Sequence, residues 1–342
     1  MPHRRATLLL LGAALVGCGG REVEAPLVRS GRLGSLRDLF LFARADAAGG
    51  PFFLDCFEVT RGDWLEFART DAGRAVSAPM PRIEQTDDDS LPMAGVDLVQ
   101  ARAFAHWRCC RLPREDEWSF ACTSGNHNVF PWGEAGPQDD VRANTQDLGF
   151  GGPTPVGAFE SGRVGESGPY DMIGNVAEWS ETVPKWWFRE DRDELRPVWS
   201  ARRQLTVAAG LAAWALPGAP WSPVLIVEAA RQQAPREVLG SAFSSPRAEL
   251  VVERLAGESG DTIGLRLCTS PGELLQALAR DRGSFDREDR RQLERFVRRD
   301  GHAAVLRSAL AQLGLAQLGL TQSGDDGQLD AAARRWCAEL LR

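Results

Sequence analysis

The stretch GPYDMIGNVAEW, from Gly168 to Trp179, decides the fold. It contains two glycines and two carboxylates, Asp171 and Glu178, and it ends in a tryptophan. Residues 125–168 precede it and form a Gly- and Pro-rich run with little periodicity. So long a loop inside a compact domain needs an explanation, and bound ions are a common one. Tryptophan side chains can pin such backbone around a core, so we expect a loop-rich domain rather than a helical bundle.

Short regular elements are predicted upstream of this stretch. Residues 51–59 read as an apolar strand. Thr60 is a favourable N-cap for the helix that follows, and Asp63 supplies the acidic half of a capping box. Asp97 is expected to cap a second helix. A third short helix is expected after Pro113, because its acidic first turn suits the positive end of a helix.

The beginning of the chain is predicted to be a targeting segment. Two arginines precede an apolar run, residues 6–16, which is too short to span a bilayer, since a span needs about 20 residues. The run ends at LVGC, Leu15 to Cys18, which resembles the lipobox of bacterial lipoproteins. We therefore predict a signal peptide over residues 1–17 and a lipid on Cys18. The protein would be anchored to the cell membrane or the outer membrane. An ordinary secretory leader or a buried apolar segment is the alternative.

The rest of the chain divides into three predicted parts. Residues 18–50 are expected to be a tether, and residues 51–269 the loop-rich domain, with an insertion at 184–236. Residues 270–342 lack proline after their second position and are rich in Ala, Leu, Arg and Gln. Apolar residues at helical spacing predict three amphipathic helices there, which we interpret as a helical extension.

Composition excludes several classes of protein. The 342 residues include 40 Lys and Arg against 47 Asp and Glu, a net charge of -7. An acidic balance without a basic stripe gives no reason to expect nucleic acid as a partner. Hydrophobic residues make up 43% and charged residues 25%, which is typical of a globular chain rather than a disordered one.

Six cysteines follow Cys18, an even number that permits disulfides in an exported protein. No C-x-x-C pair is present, which is unfavourable for a zinc ribbon. Cys122, Cys268 and one of Cys109 or Cys110 are the candidates for disulfides. The adjacent Cys109 and Cys110 could instead form a vicinal disulfide or stay buried.

Several blocks, taken in order, resemble the formylglycine-generating enzyme (sulfatase-modifying factor) family. The blocks are FFLDCFEVTRGDWLEF (Phe52–Phe67), PMAGVDLVQARAFAHWRCCRLPREDEWSFAC (Pro92–Cys122), FPWG (Phe130–Gly133), TPVGAF (Thr154–Phe159), GPYDMIGNVAEW (Gly168–Trp179), LGSAF (Leu239–Phe243) and IGLRLC (Ile263–Cys268). The resemblance implies an α+β, loop-rich, C-type-lectin-like domain with short helices and few strands.

The copper chemistry of that family is not expected in this chain. Formylglycine-generating enzymes oxidise a substrate cysteine with Cu(I), held by two thiolates just after the Gly-Ser of the closing block. Ser244 and Glu249 occupy those two positions here, and no cysteine lies between Cys122 and Cys268. Soft thiolates select Cu(I), and neither a hydroxyl nor a carboxylate replaces them. The resemblance therefore implies a divergent member without a copper cofactor.

Other catalytic metals find little support in the sequence. Some relatives are iron enzymes with histidine ligands, but His106, His127 and His302 form no paired ligand motif. An acidic run at Asp87–Asp89 could attract a cation or could simply be solvated.

Structural calcium, by contrast, is implied by the resemblance. The first site would use the side chains of Asp171 and Glu178 and the carbonyls of Gly174 and Val176. Two carboxylates with intervening carbonyls suit a hard cation that takes six to eight oxygens.

A second calcium site would use Asn144 and the carbonyls of Thr145 and Phe150. The Asp that the family places in this site is replaced by Leu148 here, with Asp147 beside it.

Three functions remain open on this basis. The first is a non-catalytic, membrane-anchored lipoprotein that binds a protein or peptide partner in the cell envelope through a retained groove. The second is an oxidoreductase that converts a substrate cysteine to formylglycine or performs a related oxidation. The third is a structural lipoprotein whose helical tail is the working part.

Overall fold

A computed structural model describes most of the chain after residue 30. The described ranges are 31–44, 49–79, 88–125, 130–133, 142–182, 188–191, 194–197, 236–245, 251–254, 260–317 and 329–342. The predicted leader with Cys18, the predicted helix inside the insertion and Glu249 lie outside these ranges. No helix within them is both long and apolar enough to cross a membrane.

Short strands in three small sheets form the β part of the described structure. The strands are β1 (Leu39–Phe42), β2 (Phe52–Asp55), β3 (Ala177–Trp179), β4 (Phe188–Asp191), β5 (Glu194–Pro197), β6 (Arg236–Leu239), β7 (Val251–Arg254), β8 (Ile263–Gly264) and β9 (Cys268–Thr269). The sheet orders are β1-β2-β9, β7-β6-β3-β8 and the pair β4-β5, with only β3 and β8 parallel. The predicted α+β, loop-rich architecture is confirmed, because every strand is four residues or fewer.

Capping residues fix where the helices begin. The helices are α1 (Arg61–Ala68), α2 (Asp71–Ala75), α3 (Leu98–Trp107), α4 (Glu115–Thr123), α5 (Pro271–Asp281), α6 (Arg287–Val297), α7 (His302–Gln317) and α8 (Ala331–Leu340). Thr60 Oγ1 accepts from the Asp63 N–H at 3.1 Å, and the Asp63 carboxylate accepts from the Thr60 N–H at 3.3 Å. Asp97 likewise accepts from the Gln100 N–H at 2.8 Å. The capping box at Thr60 and the cap at Asp97 are therefore confirmed.

The C-terminal helices, predicted as a helical extension, pack into the main core. Leu274, Phe296 and Leu306 belong to the same buried cluster as Trp64. The ring of Phe296 lies 5.1 Å from that of Phe53 in β2. The described residues of this segment form four helices where three were predicted, because α5 was missed. The physical reason for the docking is that each amphipathic helix must bury its apolar face.

The folded part also begins earlier than the predicted end of the tether at residue 50. β1 pairs with β2 in an antiparallel register, with Leu39 opposite Asp55. Arg299, just after α6, donates to the Leu39 carbonyl at 3.4 Å. The first strand therefore packs against the C-terminal helical segment.

The expected disulfides are absent, since all six cysteines after Cys18 carry free thiols. Burial raises the pKa of Cys122 to about 12, and it raises the pKa of Cys268 further. Burial also raises the pKa of Cys109 to about 12 and that of Cys110 well above its usual value. The assignment of Cys122, Cys268 and the Cys109–Cys110 pair as disulfide partners is wrong, whereas the alternative that Cys109 and Cys110 stay buried is confirmed.

Candidate functional site

The candidate site is built around Arg266, which lies between β8 and β9 and is fully buried. Its Nε donates to Glu178 Oε1 at 2.8 Å, and its NH2 nitrogen lies 2.7 Å from the same oxygen. Other N–H groups of the guanidinium donate to the carbonyls of Asp55 and Tyr170, at 3.0 and 2.9 Å. Burial acts to lower the pKa of Arg266, but the charge of Glu178 and of the other nearby carboxylates outweighs it and raises the pKa. The guanidinium therefore stays charged in the interior.

Glu178 is positioned by β3, which lies between β6 and β8. Its second carboxylate oxygen accepts from Trp118 Nε1 at 2.8 Å. Both oxygens of this predicted calcium ligand are thus hydrogen-bonded to protein donors, one charged and one neutral. Trp118 is buried on α4, so the contact fixes that helix against β3.

Glu58 is a buried acid that the sequence analysis missed. Its Oε1 accepts from the Val176 N–H at 3.0 Å, and its Oε2 accepts from Asn175 Nδ2 at 2.6 Å. Burial, followed by the charges of Asp171 and Glu178, raises the pKa of Glu58 well above its usual value. Its only sequence signal is its place inside the family-like block FFLDCFEVT.

Asp171 is held by an unusual backbone conformation. Its φ is 51°, in the left-handed region that L residues rarely adopt. Its Oδ2 accepts from the Gly157 N–H at 2.6 Å. Burial raises the pKa of Asp171 to about 6, although the Gly157 N–H and Arg266 act in the opposite direction. We call Glu58, Asp171, Glu178 and Arg266 the buried charge cluster.

The buried charge cluster has more carboxylates than cationic groups, and this composition suits a bound cation. Three buried carboxylates lie around one guanidinium. Burial raises the pKa values of Glu58 and Asp171, and the charges of Asp171 and Glu178 raise that of Glu58 further. Within the described residues, no three His, Cys, Asp or Glu side chains form a metal-binding group. A calcium ion would therefore need the carbonyls of Gly174 and Val176 besides Asp171, and it would share Glu178 with Arg266.

The second predicted calcium site has an orphaned acceptor. Asn144 is fully buried, and its Oδ1 has no hydrogen-bond partner in the described structure. Such an oxygen fits a cation ligand, because a buried acceptor without a partner is costly. The Asn144 carbonyl accepts from the Asn175 N–H at 2.7 Å, and a Cβ at Gly174 would lie 2.3 Å from the same oxygen. The two predicted calcium sites are therefore joined through this turn.

The remaining residues of the second site, in the same loop, differ in exposure. Thr145 is buried, whereas Phe150 is well exposed. Leu148 and Asp147 follow Thr145 in a short 3-10 helix, Gln146–Leu148, and both are exposed.

Residues 239–245, which we call the closing segment, contain Ser244. Ser244 is the first of the two positions where the resemblance implies a copper ligand, and we call it the first copper position. Ser244 is exposed in a turn, where the Ser245 N–H donates to the Ala242 carbonyl at 2.9 Å. The Phe243 N–H donates to the Asn175 carbonyl at 2.9 Å, so the segment rests directly on the turn that carries the buried charge cluster. Gly240 has a φ of 80°, which lets the chain turn here.

The two histidines within the described residues after residue 30, His106 and His302, do not join this site. His106 is exposed near the end of α3. His302 is buried beside Phe53 and Phe296, where burial and then Arg299 lower its pKa to about 4. His127 lies outside the described residues, as does Asp87.

Comparison with known proteins gives the family. A model described as "Sulfatase-modifying factor enzyme 1-like domain" matches residues 19–239, more than half of the chain. The chain belongs to the sulfatase-modifying factor family. Its resemblance to formylglycine-generating enzymes, inferred from the sequence blocks, is confirmed.

Members with different activities are similar to this chain. It is 36% identical over 99 residues to the inactive C-alpha-formylglycine-generating enzyme 2 of Bos taurus, covering 26% of this chain and 32% of that protein. It is 34% identical over 136 residues to the formylglycine-generating enzyme of Mycobacterium tuberculosis, covering 35% and 43%. It is 36% identical over 111 residues to the hercynine oxygenase of Mycolicibacterium smegmatis, covering 31% and 24%. The chain thus spans less than half of the length of these relatives.

Proposed function

We propose that this protein is a non-catalytic, membrane-anchored member of the sulfatase-modifying factor family that binds a protein or peptide partner in the cell envelope. The observation that carries the proposal is the exposed hydroxyl of Ser244 at the first copper position. A hydroxyl there cannot hold Cu(I), for which thiolates are the suitable ligands.

The state of the remaining thiols supports the same proposal. Every cysteine after Cys18 lies within the described residues, and burial raises the pKa of each, for example that of Cys56 to about 12 and that of Cys337 to about 11. Thiolates, not thiols, are the metal ligands. Loading copper at another cysteine would therefore require deprotonation inside the core.

Structural calcium is part of the proposal. The excess carboxylates of the buried charge cluster and the orphaned Asn144 Oδ1 both favour an oxygen-seeking cation. Its role would be to fix the loops between Asn144 and Glu178, so that they present a stable binding surface. No chemical step is assigned to it.

Peptide oxidation tests the absence of catalysis. The purified mature protein would be incubated with a C-x-P-x-R peptide, Cu(I), a thiol reductant and oxygen, and aldehyde would be captured with a hydrazide. We expect no product, while an active formylglycine-generating enzyme converts the peptide under the same conditions. Formation of aldehyde would establish the alternative, an oxidoreductase, which similarity to the Mycobacterium tuberculosis enzyme favours.

A gain of copper would test the assignment of the two positions. The double variant Ser244→Cys, Glu249→Cys should bind Cu(I) in a bicinchoninate competition assay. The wild-type protein and a Ser244→Ala, Glu249→Ala control should not. If the double cysteine variant gains nothing, the copper positions have been assigned to the wrong residues.

The membrane anchor has its own test. Wild-type protein should incorporate labelled palmitate and sediment with membranes, whereas Cys18→Ser should do neither. Cys56→Ser is the matched control and should remain membrane-bound. Sedimentation of Cys18→Ser with membranes would contradict lipidation at this residue.

A further inference from the structure

His302 lies where the C-terminal helices meet β2. It is the first residue of α7, and it is only 4% exposed. Its ring lies 5.0 Å from that of Phe53 in β2 and 4.5 Å from that of Phe296 in α6. His302 Nδ1 lies 2.9 Å from the Phe296 carbonyl oxygen, and because a carbonyl only accepts, Nδ1 carries the proton and donates. We call the packing of His302 against Phe53 and Phe296 the aromatic contact.

The surroundings of His302 act against a positive charge on its ring. Its two aromatic neighbours are apolar, and burial among apolar groups disfavours the ionised form. His302 also lies in the first turn of α7, at the positive end of the helix dipole. Burial, followed by the like charge of Arg299, lowers the pKa of His302 to about 4, although the Phe296 carbonyl acts in the opposite direction. The aromatic contact is therefore built for a neutral imidazole.

The ionisable groups around the aromatic contact do not compensate a charge on His302. From β2 and α6 the ring meets uncharged aromatic side chains, and the charged group that acts on its pKa is Arg299. Arg299 in turn faces three ionisable groups. Burial lowers the pKa of Arg299, Asp38 and Cys56 act to raise it, and Arg37 acts to lower it. Asp38 therefore acts on Arg299, and a proton on His302 would add a second positive charge beside that guanidinium.

We propose that the aromatic contact is an acid-sensitive switch, which holds the C-terminal helices on β2 while His302 is neutral and opens when His302 is protonated. The proton comes from water and binds at Nε2, the ring nitrogen that does not face the Phe296 carbonyl, and no covalent bond of the chain breaks. Opening exposes the rings of Phe53 and Phe296, and exposed apolar surface of this kind binds other molecules. The inference goes beyond the proposed function, and the proposed envelope location would expose the protein to the acidity of its surroundings.

The direction and size of the pH effect follow from the two states of His302. Its pKa is about 4 in the closed contact and returns to its ordinary value, 6.5, when the ring is solvated. The open state therefore binds the proton more tightly. The stabilisation is complete above pH 6.5 and is lost as the pH falls toward 4. The equilibrium constant for opening should rise about 30-fold between pH 8 and pH 5.

Hydrogen exchange on the full mature protein at pH 8 and pH 5 tests the switch, with each rate corrected for the intrinsic pH dependence of exchange. Protection of the amides in residues 293–306 should fall about 30-fold at pH 5, while that of β3 should fall less than about threefold. In His302→Phe, which keeps the ring contacts and cannot titrate, the fall in residues 293–306 should also be less than about threefold. His106→Phe removes an exposed histidine on α3 and should behave like the wild type.

Several results would overturn the inference. One is the same loss of protection in His302→Phe as in the wild type. Another is an equal loss in β3 and in residues 293–306, because the whole domain would then unfold instead of the contact opening. Protection that does not return at pH 8 would exclude a switch.

A titration of the wild-type protein keeps the inference testable if His302→Phe does not fold. The imidazole resonance of His302 would be followed by NMR in protein labelled with ¹³C-histidine. It would be assigned with His302→Asn, which keeps a donor for the Phe296 carbonyl. A pKa below about 5 supports the inference, and any higher value overturns it.

Discussion

The buried charge cluster and the closing segment are neighbours with opposite properties. In the cluster, Arg266 and Glu178 are fully enclosed and paired at 2.7 Å. In the closing segment, Ser244 is exposed, although the Phe243 N–H next to it donates to the turn above the cluster. The part of the fold that holds the loops is therefore separable from the part that would hold copper. Substitution at an exposed position costs little stability, so the scaffold should tolerate a change at Ser244.

The largest effect should come from breaking the buried pair. Glu178→Leu removes the carboxylate that Arg266 binds directly and leaves the buried Trp118 N–H without its acceptor, so we expect the free energy of unfolding to fall by about 3–5 kcal/mol. Urea denaturation would measure it. The matched control is Glu288→Leu, which removes an exposed carboxylate near Arg291 and Arg295 and should cost less than about 1 kcal/mol. If the two variants lost the same free energy of unfolding, the buried pair would be no more important for stability than an exposed one.

Calcium should have the next largest effect on the free energy of unfolding, and the size of this effect should depend on pH. Burial raises the pKa of Asp171 to about 6, so without metal the folded protein loses stability as pH rises from about 4 to about 6. A cation relieves this penalty. At 100 times its dissociation constant, calcium should add about 2.7 kcal/mol at pH 8 and less at pH 5, where Asp171 is protonated.

Thermal unfolding with and without calcium at the two pH values measures this difference. Asp171→Asn removes one titrating group and should reduce the difference between pH 5 and pH 8, while Glu58, whose pKa is also raised, remains. A calcium effect that is the same at both pH values would show that the ion binds elsewhere.

The smallest effect is expected at the closing segment. Ser244→Ala should change the free energy of unfolding by less than about 0.5 kcal/mol, because the side chain is exposed. Chemical denaturation against the wild-type protein is the measurement. A loss above about 1 kcal/mol would mean that the hydroxyl supports the fold, and the contrast between the two regions would then disappear.

Local signals in the sequence predicted the local structure well. Thr60 and Asp63 form the expected capping box, and Asp97 caps α3, because a cap depends on residues only three positions apart. The family-like blocks also identified the α+β, loop-rich fold. Ser244 lies at the surface beside that framework, which the sequence alone could not establish.

Long-range contacts were beyond the reach of sequence patterns. Arg266 and Glu178 are 88 residues apart, and Glu58 meets Val176 across 118 residues. A single buried acid or arginine looks like any surface charge until the fold encloses it. The packing of the four C-terminal helices, α5 through α8, onto the main core was missed for a related reason. The sequence of an amphipathic helix does not reveal which surface will cover its apolar face.

The contact between Phe53 and Phe296 has a consequence for biosynthesis. Phe53 in β2 stays uncovered on this side until the ribosome has delivered α6. Translation errors near the end of the message should therefore be as damaging as errors near its start. A nonsense mutation after codon 269 should yield a chain that cellular proteases remove, although every family-like block has already been made.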